Sequence, residues 1–198
     1  MDNSQSEKTW EEIYIKSIIP KLTCVDYFGQ HVIFLRGISG SGKSTVCEVL
    51  ARLLGQEKVV YCSADTYFTC GKLYLFEPDK LHKAHKACVD SMEMALLTPG
   101  VSYVIVDNTH TQLIHLSAAE AIAEKYRAKM FYLEIVVPDI NHLLICLKRQ
   151  CHRVPVNVLL DQWLKWETHL HTTFRIPMFI SNEEKLMLSS IAERHMKT

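Results

Sequence analysis

The chain has 198 residues, 48% of them apolar and 22% charged, a balance that suits one globular domain with a sizeable core. Lys+Arg and Asp+Glu stand at 22 each. Zero net charge excludes a global basic field, so any nucleic-acid partner has to be gripped by a local patch. No apolar run reaches the length of a membrane span. The start, MDNSQSEKTWEE, is polar and acidic, unlike a secretory or mitochondrial signal. The seven cysteines contain no CxxC pair, which argues for free thiols in a reducing compartment over a disulfide framework or a thiolate zinc site. An intracellular protein, cytoplasmic or nuclear, is expected.

In chain order, residues 8–19 put Trp10, Ile13, Tyr14 and Ile18 on one helical face, and Pro20 is expected to stop that helix. Strands and helices then alternate. Val32–Arg36 reads as a strand and Ser44–Leu54 as a helix closed by Gly55. Val59–Ser63 is a second strand, and Asp79–Leu97 a long helix with Pro78 at its start. Tyr103–Val106 is a third strand, Gln112–Ala128 a helix, and Lys129–Val137 a fourth strand. Asp139–Gln150 and Val156–His169 are further helices. The stretch from Ser181 to Met196 reads as helical, with Ser181 and Glu184 spaced as a capping box. This alternation predicts an α/β fold with a parallel sheet and helices on both faces.

One loop carries the chemistry. GISGSGKS at 37–44 matches G-x-x-x-x-G-K-[ST] and lies between a predicted strand and a predicted helix, the context that a phosphate-binding loop needs. Gly37, Gly40 and Gly42 let the chain turn so that the amides of Ser39, Ser41 and their neighbours point inward. Together with the positive end of the following helix, which opens on Lys43, Ser44 and Thr45, they can cradle a polyphosphate. Lys43 can reach the β- and γ-phosphates, and the Ser44 hydroxyl can ligate Mg²⁺. The expected ligand is a nucleoside triphosphate.

The parts for hydrolysis are missing. The strand ending in Asp107 is followed by Asn108 rather than a water-activating glutamate. The chain has no NKxD, which also favours ATP over GTP, and no LSGGQ-like stretch, which argues against a transporter ATPase. A kinase needs a base, a metal site and cations, and each has a candidate. Asp65, just past the strand at 59–63, should emerge at the ligand-binding edge of the sheet. There it could deprotonate a hydroxyl or simply cap the turn that follows. Asp107 could hold a Mg²⁺-bound water or Ser44, or bond to its own loop. The stretch LKRQCHRVP at 147–155 is either a lid that closes over phosphates or a solvated basic loop.

Taken in order, GISGSGKST, CSADTYF, VIVDNTH and LKRQCHRVP resemble the P-loop kinases related to polynucleotide 5′-hydroxyl kinase. The stretch at 71–85, GKLYLFEPDKLHKAH, is similar to the signature of a branch found in an animal ubiquitin-ligase-binding protein and its shorter relatives. The resemblance covers about 31 to 170. It implies that Asp65 is the general base, that Asp107 and Asn108 line the phosphate site, and that Arg149 is a lid arginine contacting the transferring phosphoryl group. It also aligns Val154 and Pro155 with the valine-proline that opens the next helix. Two departures stand out. Thr66 and Phe68 replace the second acid and the arginine of the family's Asp-Asp-Tyr-Arg, and that arginine holds the acceptor strand's phosphate. Arg153 stands where the relatives carry glycine, and could alter lid geometry or add a phosphate contact.

Three clusters are discounted. His82, His85 and Cys88 wind apart along one helix without a fourth ligand. His169 and His171 read as surface. Trp163 and Trp166 read as core beside Leu159 and Leu160. The expectation is therefore a P-loop kinase domain at 31–170, with an N-terminal helical appendage at 1–30 and a C-terminal helical tail at 171–198. With ATP and Mg²⁺ it would phosphorylate a hydroxyl, with the 5′-hydroxyl of a polynucleotide or nucleotide-like fragment as the favoured acceptor. The alternatives are a small-molecule kinase, and an ATP-binding interaction module that contacts a protein partner through its termini.

Overall fold

The computed structural model describes residues 10–23, 29–71, 73–150, 154–169 and 173–195. Helix α1 (Trp10–Leu22) leads into strand β1 (His31–Arg36) and helix α2 (Lys43–Leu54). Strand β2 (Val59–Cys62) is followed by a short 3₁₀ turn, Ala64–Phe68, and a small antiparallel hairpin, β3 (Thr69–Cys70) and β4 (Leu73–Tyr74). Then come α3 (Leu81–Leu97), β5 (Tyr103–Asp107), α4 (Ser117–Lys125) and β6 (Lys129–Val136). Helices α5 (Ile140–Arg149) and α6 (Val156–Leu164), strand β7 (Thr173–Pro177) and helix α7 (Asn182–His195) complete the described elements.

The main sheet is wholly parallel, in the order β2-β5-β1-β6-β7. Because strand side chains alternate, β1 feeds two cores. Ile33 and Leu35 join α1, α2 and α5 on one face, while Val32 and Phe34 join α3 and α4 on the other. Burial of both faces explains why HVIFLR is a nearly unbroken apolar run. Parallel pairing also brings the carboxyl ends of the strands to one edge. Leu35 is level with Asp107, and Cys62 with Val106.

Several elements differ from the sequence expectation. Pro20 lies inside α1 rather than ending it, and the ladder runs on through Thr23 N to Ile19 O at 2.9 Å. The buried face of α1 is Ile15, Ile18 and Leu22, whereas Ile13 is exposed. The helix expected over 112–128 is confined to Ser117–Lys125, after a 3₁₀ turn. α6 stops at Leu164, which frees 165–169 to run back along the sheet edge. The stretch TFRIP at 173–177, read as part of a helical tail, is the fifth strand of the sheet. Its β-branched and aromatic residues fit that role, but five residues ending in proline give little periodicity to read.

A buried hub fixes the ligand edge. Arg36, the last residue of β1, is fully buried and ion-paired with Glu134 of β6. Its Nε donates to His110 O at 2.9 Å and its Nη2 to Glu167 O at 2.7 Å. The Trp166 ring lies 4.8 Å from the guanidinium. Glu167 in turn accepts from Leu113 N at 2.7 Å and donates its own amide to Thr111 O at 2.9 Å. One charge thus ties β1, β6, the 108–115 loop and the segment after α6 together. His169, expected at the surface, is half-buried and stacks on Tyr132 at 3.8 Å.

Candidate active site

The loop at 37–42 closes against the end of α5. Gly40 has φ +80°, and a Cβ there would lie 2.1 Å from Cys146 O, so no other residue fits without moving the helix. Gly42, at φ +102°, turns the chain into α2 as its N-cap without a side-chain cap. The first-turn amides of α2 are therefore left for a ligand. The loop is anchored by Gly37 N to Thr109 O at 3.1 Å and by Ser41 N to Ile38 O at 3.2 Å.

Lys43 Nζ donates to Gly37 O at 3.0 Å and Ile38 O at 3.2 Å, which leaves its charge inside the loop. Burial lowers its pKa, while the carboxylates of Asp107 and then Asp65 act in the opposite direction. Both acids therefore bear on the same ammonium group. The Ser39 amide is engaged by Gln162 Oε1 of α6 at 3.0 Å, a partner that no sequence motif marks. Thr45 is exposed on the first turn of α2.

Asp107 ends β5 and is buried. Its Oδ2 accepts from Ser44 Oγ at 3.3 Å and from Tyr61 OH at 2.9 Å. Burial and the neighbouring Asp107 charge push the Tyr61 phenol well above its ordinary range, so it stays a donor. Asp107 Oδ1 is buried with no hydrogen-bond partner, and so is Ser41 Oγ. An orphaned carboxylate oxygen beside a serine hydroxyl suits a hard divalent cation, and Mg²⁺ is commonly held by few protein groups plus phosphates and water. Among the described residues no cluster of three or more His, Cys, Asp or Glu could hold a metal alone. This includes the discounted His82, His85 and Cys88 on α3.

Asp65 sits in the 3₁₀ turn after β2, exposed at the same edge. Its amide is capped by Ser63 Oγ at 3.2 Å, and its Oδ1 accepts from Tyr74 OH of the hairpin at 2.8 Å. The turn itself is pinned by Ala64 N to Asn108 Oδ1 at 2.9 Å. Asn108 thus holds the backbone that presents Asp65. Phe68 is buried under Tyr74 and Phe76, so it packs the hairpin.

A cavity of about 430 Å³ lies between α3, α4 and the 108–115 loop, lined by His85, Lys86, Cys88, Asn108, His110 and His115 among others. Burial lowers the pKa of His85, with His115 adding to the effect and Asp65 opposing it. Burial takes His110 down to about 3. The His110 Nδ1 lies 3.1 Å from Leu35 O, and a carbonyl only accepts, so Nδ1 carries the proton. Lys86 is paired with Asp90 at 2.6 Å.

Arg149, the last residue of α5, is half-buried beside the loop. Its Nε and Nη2 grip Glu184 of α7 at 2.6 and 2.7 Å. Arg153, with Cys151 and His152, lies outside the described residues, as do His171 and Cys24. The five described free cysteines are Cys47, Cys62, Cys70, Cys88 and Cys146. Burial pushes Cys47, Cys62 and Cys146 up to about 12, so they are inert at neutral pH. No described helix is long and apolar enough to cross a membrane.

The five-stranded parallel sheet in the order β2-β5-β1-β6-β7, with the glycine loop closed on α5, matches the α/β fold of P-loop kinase structures. Solved structures share that fold. Kti12 of Chaetomium thermophilum, in complex with ADP-AlF3, superposes with a TM-score of 0.55 at 15% identity, over 82% of this chain and 97% of that one. A gluconokinase from Sinorhizobium meliloti 1021 gives 0.52 at 17% identity, over 84% and 95%. In sequence the chain is distantly similar to NEDD4-binding protein 2 of Homo sapiens, 30% identical over 126 residues. That match covers 63% of this chain but only 7% of the human protein's length. No family model matches.

Proposed function

We propose that the chain is an ATP- and Mg²⁺-dependent phosphotransferase that moves the γ-phosphoryl group to a hydroxyl, with the 5′-hydroxyl of a polynucleotide or nucleotide-like fragment as the favoured acceptor. The observation that carries this reading is the Asp65 carboxylate, exposed on the turn after β2 that Asn108 pins beside Asp107 at the loop's edge of the sheet. Lys43 and the amides of 37–44 hold the triphosphate. Ser44 and Asp107 would hold Mg²⁺, which when bound neutralises phosphate charge. Asp65 takes the proton of the acceptor hydroxyl while that oxygen bonds to the γ-phosphorus. The bond to the β–γ bridging oxygen breaks, and ADP leaves with that electron pair.

The cavity supports an acceptor whose entering end is uncharged. His85 and His110 have lowered pKa values and are neutral at pH 7, and the lysine on its wall is paired. A nucleoside end offers flat apolar faces and hydrogen-bonding edges to such a wall, whereas an anionic metabolite would find no unpaired cation among these groups. The test offers γ-labelled ATP with 5′-hydroxyl DNA, 5′-hydroxyl RNA and a metabolite panel at low and high salt. Label on the 5′ end, weakening steeply with salt, supports the reading. Salt-insensitive label on a metabolite alone replaces the acceptor. Tight ATP binding without labelled product from any acceptor leaves a binding module instead of an enzyme.

A further inference from the structure

We propose that Glu184, on helix α7, is the positioning residue of Arg149, turning one edge of its guanidinium toward the phosphates held by the 37–44 loop. The proposal rests on the phosphotransferase reading above and extends it to a part of the chain outside the recognised motifs.

Arg149 lies against the loop. The same helix α5 touches Gly40 through Cys146 O, and a Cβ built on Gly42 would lie 3.7 Å from Arg149 Nη1. The other edge of the guanidinium is fully used. Nε donates to Glu184 Oε1 at 2.6 Å, and Nη2 donates to Glu184 Oε2 at 2.7 Å and to Phe179 O at 2.6 Å. Nη1 has no acceptor among the described residues, and it faces the loop. A planar fork gripped along one edge can rotate little, so its remaining N–H groups keep a fixed aim. This arrangement pre-organises a cation where charge develops during phosphoryl transfer.

Glu184 is itself held. Ser181 N donates to its Oε2 at 2.8 Å, and its own amide donates to Ser181 Oγ at 3.2 Å, a complete capping box. The Arg149 hydrogen bonds, followed by those from Ser181, hold the carboxyl at about 2, so it is ionised throughout the neutral range. The cap fixes the carboxylate and the carboxylate fixes the arginine. Glutamine serves the cap as well as glutamate does, but it cannot accept two N–H groups of one fork. Glu184→Gln therefore separates the two roles.

The test measures binding of Mg²⁺–ADP with and without aluminium fluoride to the full chain, a readout that needs no acceptor. Arg149→Ala and Glu184→Gln are each expected to weaken the fluoride complex about tenfold or more and ADP alone less than about threefold, because the arginine acts on the transferring group. Ser181→Ala, which removes half of the cap and leaves the grip, should change neither. Adding Glu184→Gln to Arg149→Ala should cost nothing further. If Ser181→Ala matches Glu184→Gln, Glu184 acts only by docking α7 and the proposal falls. It also falls if Glu184→Gln tightens the fluoride complex, since the glutamate would then be sequestering Arg149. Equal binding by wild type, Arg149→Ala and Glu184→Gln removes the positioning role and leaves the phosphotransferase reading intact. A wild type that does not bind ADP at all sinks that reading and this proposal with it.

Discussion

Around the 37–42 loop, Lys43 and Ser39 are tied to backbone and to a side chain far along the chain, while the Asp65 carboxylate stands exposed on a short turn. Gly40 is pressed on Cys146, Lys43 is wrapped by Gly37 and Ile38, and Ser39 is met by Gln162. Asp65 is steadied by Tyr74, and the cavity between α3 and α4 is lined by His85 and His110, whose pKa values burial lowers. In the proposed reading, the nucleotide half holds one shape of ligand through backbone geometry, while the acceptor half would offer Asp65 as base and a largely apolar recess, so its choice of substrate would rest on few polar groups.

That contrast can be broken from either side. The largest expected effect is at Gly40. Gly40→Ala should lower ATP affinity about 100-fold or more, because a Cβ 2.1 Å from a helix carbonyl forces the loop off α5. Isothermal titration checks it, and unchanged affinity would show that the loop has slack. Next is the buried hub. Glu134→Gln leaves the Arg36 charge uncompensated and should cost about 3–5 kcal/mol in denaturant unfolding, as one-sided loss of a buried pair does. A smaller effect belongs to the acceptor half. Tyr74→Phe removes one hydrogen bond to Asp65 and should slow transfer about threefold to tenfold with ATP affinity unchanged. A loss of ATP affinity in that variant would mean that the two halves are not separate.

The same contrast governs what the sequence discloses. The alternation of strands and helices, the glycine loop, and Asp65 and Asp107 at strand ends are local patterns, and the fold places all of them on one edge. The Ser181–Glu184 cap is legible because its partners lie three positions apart. What Glu184 grips is not, since Arg149 lies 35 positions away and the pair repeats no motif. Gln162 meets Ser39 across 123 positions, and Tyr61 meets Asp107 across 46. Such partners follow from the parallel topology, which no spacing rule encodes. β7 was missed for a related reason: a short edge strand takes its character from its neighbour β6 rather than from its own pattern.

The most direct test of the central claim compares Asp65→Asn with Lys43→Ala in one assay that follows both ATP binding and phosphoryl transfer. Asp65→Asn should cut transfer to a 5′-hydroxyl oligonucleotide about 10³-fold with ATP affinity nearly unchanged, whereas Lys43→Ala should lose both. Transfer by Asp65→Asn at the wild-type rate, or loss of ATP binding equal to that of Lys43→Ala, would contradict the assignment of this carboxylate as the acceptor's base.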